Sequence, residues 1–256
     1  MMAPVAAQAG EQATSGQRGV ARRLRLLSGL VLFAYIAVHL GNHALGIFSL
    51  ALAESGLRLE MVVWRSTIGT LFLYGAAMVH FSMALWTLYD RREWRLPWIE
   101  ILRLASGFSF PLLLIGHAVT TRLGDTLFAI KPSYVLVITN LLVSGRQGMQ
   151  LALLAPGWLH GCLGLWITLR HFQAMNRIKH SLIALVVLVP LLAAAGFFRM
   201  AAEVFVIGSS APARPNEAIA QAALAAWKDD LTMAYLGVVL AAFALGRLHA
   251  ALRRRA

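Results

Sequence analysis

Six long apolar runs, separated by polar and basic segments, dominate the pattern of the sequence. They cover residues 26–50, 66–89, 104–121, 151–169, 181–206 and 231–248. A helix needs about 20 residues to cross the ~30 Å hydrocarbon core of a bilayer, and each run meets or approaches that length. The pattern therefore predicts an all-α integral membrane protein with six transmembrane helices.

Two further segments complete the predicted organisation. The apolar run 134–144 is too short to span a bilayer, so we expect it in the interface or folded over the outer face. Residues 1–20 are rich in alanine, glycine, glutamine and serine and contain no long apolar run, which predicts a disordered cytoplasmic tail. The remainder, 21–256, is predicted to form one membrane domain.

Composition and charge strengthen the membrane interpretation. Hydrophobic residues make up 59% of the chain and charged residues 13%, whereas about 25% of the residues in soluble domains are charged. The net charge of +12 comes from residues between the apolar runs, so nucleic-acid binding is not expected. Lysine and arginine are concentrated on the side that holds both termini, and the positive-inside rule makes that side cytoplasmic.

Five of the eight histidines lie within the apolar sequence and carry the candidate chemistry. Coordinating or ionisable residues inside a bilayer are costly and usually mark function. These five occur in the first four predicted helices: His39, His43, His80, His117 and His160. The single cysteine leaves no pair for a disulfide or for covalent heme attachment through two cysteines.

Depth along the helices sorts the histidines into two levels. His39 and His117 each lie 14 residues from the arginine that flanks their helix on the cytoplasmic side, or about 21 Å at ~1.5 Å per residue. His80 and His160 lie 11 and 10 residues from the corresponding arginines, or about 15 to 17 Å. Each level therefore holds one pair of histidines from different helices.

Two such pairs are what two b-type hemes require, because each iron takes one neutral nitrogen ligand from either side of the porphyrin. We predict that His39 and His117 hold one heme iron and that His80 and His160 hold the other. His43 lies one turn beyond His39 and is the alternative ligand. It is about 27 Å deep and matches the depth of His117 less well.

Glycines on the same helices fit a bundle that admits a flat ring. Gly157, Gly161 and Gly164 share one helical face with His160, and Gly116 precedes His117. Small residues also let membrane helices pack closely, so each glycine has that simpler explanation too. Isolated histidines in a transporter, a proton relay and a non-heme metal site remain alternatives to the hemes.

The histidine motifs resemble those of the diheme cytochrome b anchors of succinate:quinone oxidoreductases and fumarate reductases. The matching strings are Val38-His39-Leu40, Val79-His80-Phe81, Gly116-His117-Ala118 with Thr121-Arg122, and His160-Gly161-Cys162-Leu163-Gly164-Leu165-Trp166. In those anchors the first and third helices ligate one heme, and the second and fourth helices ligate the other. The resemblance thus implies the same pairing that the helix depths predict.

A longer resemblance runs from Arg22 to the C-terminus, to the six-helix membrane domains of bacterial class III adenylate cyclases. It rests on the strings from His39 to Gly46, Tyr74-Gly75-Ala76 through Tyr89, Trp158 to Cys162, Pro190-Leu191-Leu192 through Gly196, and Glu203-Val204. Many members of that family have another histidine where this chain has Trp166. The respiratory anchors share the Leu-Trp found here.

The cyclase resemblance implies a purpose for the hemes. It implies a quinone-responsive redox receptor in the bacterial inner membrane that regulates a cytoplasmic cyclase domain following this chain in a homodimer, so that the parent protein would be an adenylate cyclase whose catalytic domain lies outside these residues. The alternative is the membrane anchor of a succinate dehydrogenase or fumarate reductase. Asn42, His43 and Arg122 are expected at the outer rim, as contacts for quinone or heme propionates.

Overall fold

The computed structural model describes residues 3–207 and 217–254, and six of its helical segments are long and apolar enough to cross a membrane. These segments are Gly19–Leu45, Thr67–Asp90, Trp98–Phe128, Gln147–Leu169, Arg177–Ile207 and Ala218–Arg253. The chain is therefore an all-α, multi-pass membrane protein, as the apolar pattern predicts. Most of the helices extend beyond their predicted ends.

Nine α-helices and one π-helical turn follow one another through the described residues. In chain order they are α1 (Ala3–Leu45), α2 (Leu50–Trp64), α3 (Thr67–Asp90), α4 (Trp98–Ala118), the π-turn (Val119–Leu123), α5 (Gly124–Phe128), α6 (Tyr134–Ser144), α7 (Gln147–Leu169), α8 (Gln173–Ile207) and α9 (Glu217–Arg253).

The first helix differs from its prediction at both ends. It includes residues 3–20, which composition had predicted to be a disordered tail, because alanine and glutamine readily extend a helix that is already nucleated. It ends at Leu45, although the apolar run continues to residue 50. Ser49 then caps a separate helix, α2, by accepting a hydrogen bond from the Leu52 amide at 3.1 Å.

Two short helices, α2 and α6, cover one end of the bundle, which we call the α2 end. Leu50, the first residue of α2, donates its amide to Glu203 of α8 at 3.2 Å. Glu54 of α2 accepts from the Val135 amide of α6, also at 3.2 Å. Leu50 also belongs to a buried apolar cluster with residues of α2, α6 and α8: Ala53, Tyr134, Ile138, Phe197, Met200 and Val204. The short apolar run 134–144 is thus a helix packed across the bundle end.

The opposite end contains the arginine-flanked ends of α1, α3 and α9, and we call it the arginine-rich end. Arg25 of α1 donates to the Thr87 hydroxyl of α3 at 2.8 Å. The Tyr89 hydroxyl of α3 lies 2.5 Å from Nδ1 of His249 in α9. These contacts place Arg25, near the middle of α1, and the end of α9 beside the same end of α3.

The outer surface of the bundle is apolar, as expected of helices in contact with lipid. No residue of α3 is buried, and Ile68, Leu71 and Met78 are each about 70% exposed. A second buried cluster, formed by Leu40, Leu154, Trp158 and Ala193, lies where α1, α7 and α8 meet. The polar side chains discussed below therefore lie within an apolar helical frame.

Candidate functional site

Two pairs of histidines face each other across the bundle. The imidazole centroids of His39 on α1 and His117 on α4 are 6.0 Å apart, with 63° between the ring planes. The centroids of His80 on α3 and His160 on α7 are also 6.0 Å apart, with 88° between the planes. Each of these two pairs joins histidines that share a predicted depth, although the ring of His39 also lies 4.6 Å from that of His43.

This spacing has a direct meaning for coordination chemistry. A metal–imidazole bond is about 2 Å long, so two ligand nitrogens on opposite sides of one metal lie about 4 Å apart. Their ring centroids are then about 6 Å apart, allowing for the width of each ring. The separation within both pairs fits one metal between two imidazoles.

At the α2 end, side chains hold both rings through Nδ1. The Glu60 carboxylate of α2 accepts from Nδ1 of His39 at 3.0 Å, and the Tyr35 ring stacks on His39 at 5.7 Å and 8°. The Gln150 amide of α7 lies 3.3 Å from Nδ1 of His117. Because rotating that amide exchanges its oxygen and nitrogen, Gln150 is able to accept as well.

At the arginine-rich end, the partners of the rings are neutral. The backbone carbonyl of Arg103 accepts from Nδ1 of His160 at 2.9 Å. The Ser28 hydroxyl lies 3.3 Å from Nδ1 of His80 and already donates to the Leu24 carbonyl at 2.7 Å, so it accepts from the imidazole. Both rings are therefore held at Nδ1 by an uncharged group.

All four rings have a hydrogen-bond contact at Nδ1; for His117 the atom at 3.3 Å is the amide nitrogen of Gln150, so its Nε2 keeps a lone pair only with that amide turned. A hydrogen bond at one ring nitrogen fixes the tautomer and leaves the lone pair of the other nitrogen available. Such second-shell hydrogen bonds are typical of histidines that bind metals. The four residues have the donor chemistry that two six-coordinate heme irons require.

Glycines give the rings of the arginine-rich pair room on the neighbouring helices. An added Cβ on Gly29 would lie 3.1 Å from Cε1 of His80, and one on Gly107 would lie 2.5 Å from Cε1 of His160. By contrast, Gly157 faces Phe110 and Gly161 faces Phe33. The glycines on the His160 face that the sequence singled out therefore serve helix packing at these two positions, whereas Gly29 and Gly107 adjoin the imidazoles.

Two arginines near the second pair have incompletely satisfied guanidinium groups. The Nε atoms of Arg25 and Arg103 are buried without a hydrogen-bond partner among the described residues. Arg103 is already paired with a carboxylate, because its guanidinium donates to Glu100 at 2.7 Å. Arg25 donates to the Thr87 hydroxyl, so its buried Nε is the more favourable of the two donors for an anion, such as the carboxylate of a heme propionate.

His43 lies in a separate polar cluster at the α2 end. Its ring is 4.6 Å from that of His39, and its Nδ1 lies 2.7 Å from the Tyr134 hydroxyl. With its amide turned to satisfy its neighbours, Asn42 accepts from Tyr134 and from the Leu57 amide, each at 3.1 Å. Burial raises the pKa of the Tyr134 hydroxyl, which therefore stays protonated. Asn42 and His43 thus join α1 to α2 and α6.

The remaining residue predicted for the outer rim, Arg122, contacts another part of the bundle. Its guanidinium donates to the Thr70 hydroxyl at 3.1 Å and lies 5.7 Å from the centre of the Tyr74 ring. Arg122 belongs to the π-turn that follows α4, so it lies five residues after His117. Such π-turns are often found at functional sites.

Glu60, Gln150, Ser28, Gly29 and Gly107 were not predicted from the sequence. Glu60 is 21 residues from His39, and no periodic signal links the two. The one available clue was a carboxylate next to an apolar run. Among the described residues, no group of three or more His, Cys, Asp or Glu side chains is placed to hold a metal ion.

Comparisons with known proteins identify no relative. No protein-family model matches the chain, and neither a curated protein nor a solved structure matches it. The functional interpretation therefore depends on the geometry of the site and on the resemblance of its motifs.

Proposed function

We propose that this chain is a membrane-embedded diheme cytochrome b domain. The observation that carries the proposal is the pair of 6.0 Å separations between facing imidazoles, His39 with His117 and His80 with His160. Hydrogen bonds at Nδ1, with the Gln150 amide turned to accept, leave each Nε2 able to bind iron. Two hemes held in this way would supply one-electron redox chemistry at two depths of the bundle.

His39 is the preferred ligand opposite His117, because the centroids of these two rings are 6.0 Å apart, the separation that fits one metal between them. The ring contacts of His43 are with His39 and Tyr134 instead. In this proposal His43 supports the ligand helix rather than binding the iron. Arg25 would hold a propionate at the arginine-rich end, because its buried Nε has no partner among the described residues, whereas Arg103 is already paired with Glu100.

The proposed purpose is a redox receptor that responds to quinone and regulates a cytoplasmic adenylate cyclase domain following this chain. This part rests on the resemblance to the cyclase membrane domains. Asn42, His43 and Arg122 are the proposed contacts for quinone or outer propionates. A ligand shifts such a receptor only if it binds its two conformations with different affinity.

The contacts of α9 offer a physical route from the heme helices to the C-terminus. The Tyr235 ring stacks on Phe81 of α3 at 5.6 Å, and its hydroxyl donates to the Phe108 carbonyl of α4 at 2.7 Å. At the end of α9, His249 contacts Tyr89 of α3. Movement of α3 or α4 would therefore reach the last helix directly, and a dimer would bring two such helices to the output domain.

A second candidate is the membrane anchor of a succinate dehydrogenase or fumarate reductase. Leu165-Trp166 after His160 favours it, because the respiratory anchors share this dipeptide. The two candidates differ in what continues the chain and in what accompanies it. An in-frame cyclase domain supports the receptor, and neighbouring genes for a flavoprotein and an iron–sulfur subunit support the respiratory anchor.

The heme proposal is tested on purified protein by heme quantification and a reduced-minus-oxidised spectrum. We expect two b hemes per chain and the loss of one heme in each of the variants His39→Ala, His80→Ala, His117→Ala and His160→Ala. His43→Ala should retain both hemes, as should the control His249→Ala. Wild-type protein without a reduced alpha band would contradict the proposal, as would four ligand variants that all keep two hemes.

A further inference from the structure

Glu60 has an unusual position for a carboxylate in a membrane protein. Its side chain is only 8% exposed, although it belongs to the 15-residue surface helix α2. A buried charge is costly unless a donor or a metal compensates for it. Glu60 therefore needs a partner that compensates for its buried charge.

The partner of Glu60 is the imidazole of His39. Oε2 lies 3.0 Å from Nδ1, whereas Oε1 is buried without a hydrogen-bond partner among the described residues. The hydrogen bond to His39 is therefore the main compensation for the charge of the Glu60 carboxylate. The stacked Tyr35 ring, at 5.7 Å and 8°, restrains the imidazole from the side. The ring of His39 is thus held at one nitrogen and along one face.

The four histidines differ in this respect. Gln150, the hydroxyl of Ser28 and the backbone carbonyl of Arg103 are uncharged partners, so Glu60 is the one of these four that carries charge. A carboxylate bonded to a metal-binding histidine fixes the ring and increases its electron donation to the metal. This difference in charge therefore predicts different reduction potentials for the two irons.

We propose that Glu60 is a positioning residue for the iron at the α2 end, acting through His39. The inference rests on the proposed diheme function and adds to it an element that the histidine motifs lack, because α2 supplies the carboxylate. Glu60 holds Nδ1 of His39, presents Nε2 to the iron and makes His39 a stronger donor than the three other ligands. The helix α2 is thereby a functional part of the site.

The test compares Glu60→Gln and Glu60→Ala with the control Glu54→Gln. Glu54 is a carboxylate on the same helix, but its contact is the Val135 amide. Glu60→Ala should weaken heme binding at one site about 10- to 100-fold, the usual effect of removing such a partner. Glu60→Gln keeps an acceptor oxygen, so it should retain both hemes while raising the midpoint potential of one. Glu54→Gln should change neither.

Heme content and redox titration of purified protein separate the outcomes. Two hemes with unshifted potentials in Glu60→Gln would overturn the role of Glu60 and leave the diheme proposal intact. An equal effect of Glu54→Gln would overturn it too, since the cause would then be a general disturbance of α2. Wild-type protein without heme would overturn both proposals. If Glu60→Ala does not fold, the potentials of Glu60→Gln alone decide the question.

Discussion

At the α2 end a carboxylate holds the ring of His39, whereas at the arginine-rich end a serine hydroxyl holds the ring of His80 near two guanidinium groups. Ring spacing does not distinguish the two pairs, because both centroid separations are 6.0 Å. The bundle therefore combines two sites of similar geometry whose ligand rings differ in charged contacts: Glu60 contacts the ring of His39 directly, whereas the rings of His80 and His160 have uncharged partners. The spacing of the rings determines whether a metal fits between them, and the nearby charges influence its reduction potential.

The charges predict an order for the two proposed hemes. Negative charge beside a ligand stabilises the more positive ferric iron, and positive charge favours the ferrous state. We therefore expect the lower potential at the α2 end, where Glu60 contacts a ligand ring, and the higher potential near Arg25, because the charge of Arg103 is compensated by Glu100. An electron shared by the two sites would favour the arginine-rich end.

Double variants give the largest expected effect and test whether the pairs are separate sites. Residues that hold one metal act as a unit, so His39→Ala/His117→Ala should lose the same single heme as either substitution alone. His39→Ala/His80→Ala should lose both hemes. Heme quantification distinguishes these results. Loss of both hemes in the first double variant, or retention of one in the second, would break the proposed pairing.

At the α2 end, helices α1 and α8 pack closely against each other at Gly196. An added Cβ there would collide with the backbone carbonyl of His43 and lie 3.3 Å from Cα of Ala44. Overpacking of this kind costs about 1–3 kcal/mol, so Gly196→Ala should lower the thermal stability measured in detergent.

The matched control is Gly237→Ala in α9, where an added Cβ meets nothing within 4 Å. Alanine favours helix by about 0.5–1 kcal/mol relative to glycine, so this variant should be unchanged or slightly more stable. Equal destabilisation by both substitutions would show that the contact between α1 and α8 does not determine the effect.

The smallest expected effect concerns the charge at the arginine-rich end. Arg25→Gln should lower the potential of the heme held by His80 and His160 and leave the other unchanged. A unit charge about 10 Å from the iron, at an effective dielectric constant of about 20, contributes about 1.7 kcal/mol.

Redox titration measures this shift, with Arg92→Gln as the control. Arg92 lies at the same end, but its side chain is 38% exposed and 3.8 Å from the Asp90 carboxylate. Solvent screens such a charge, so we expect little change. A shift in the other heme, or equal shifts in both variants, would contradict the assignment of charges to the two sites.

The residues near the histidines show where prediction from sequence ends. Apolar length predicted six helices, and a rise of about 1.5 Å per residue placed His39 level with His117 and His80 level with His160. These quantities depend only on position along a helix. Glycine spacing was less informative, because Gly157 and Gly161 face phenylalanines while Gly29 and Gly107 adjoin the imidazoles.

What the sequence determined by itself was therefore the set of spans, the membrane histidines and their two depths. Only the tertiary structure separated α2 from α1, brought Glu60 to His39, and put the ring of His39 rather than that of His43 beside His117. The physical reason is that depth is a local property of one helix. Lateral contacts depend on how each helix is rotated and packed against segments distant in sequence.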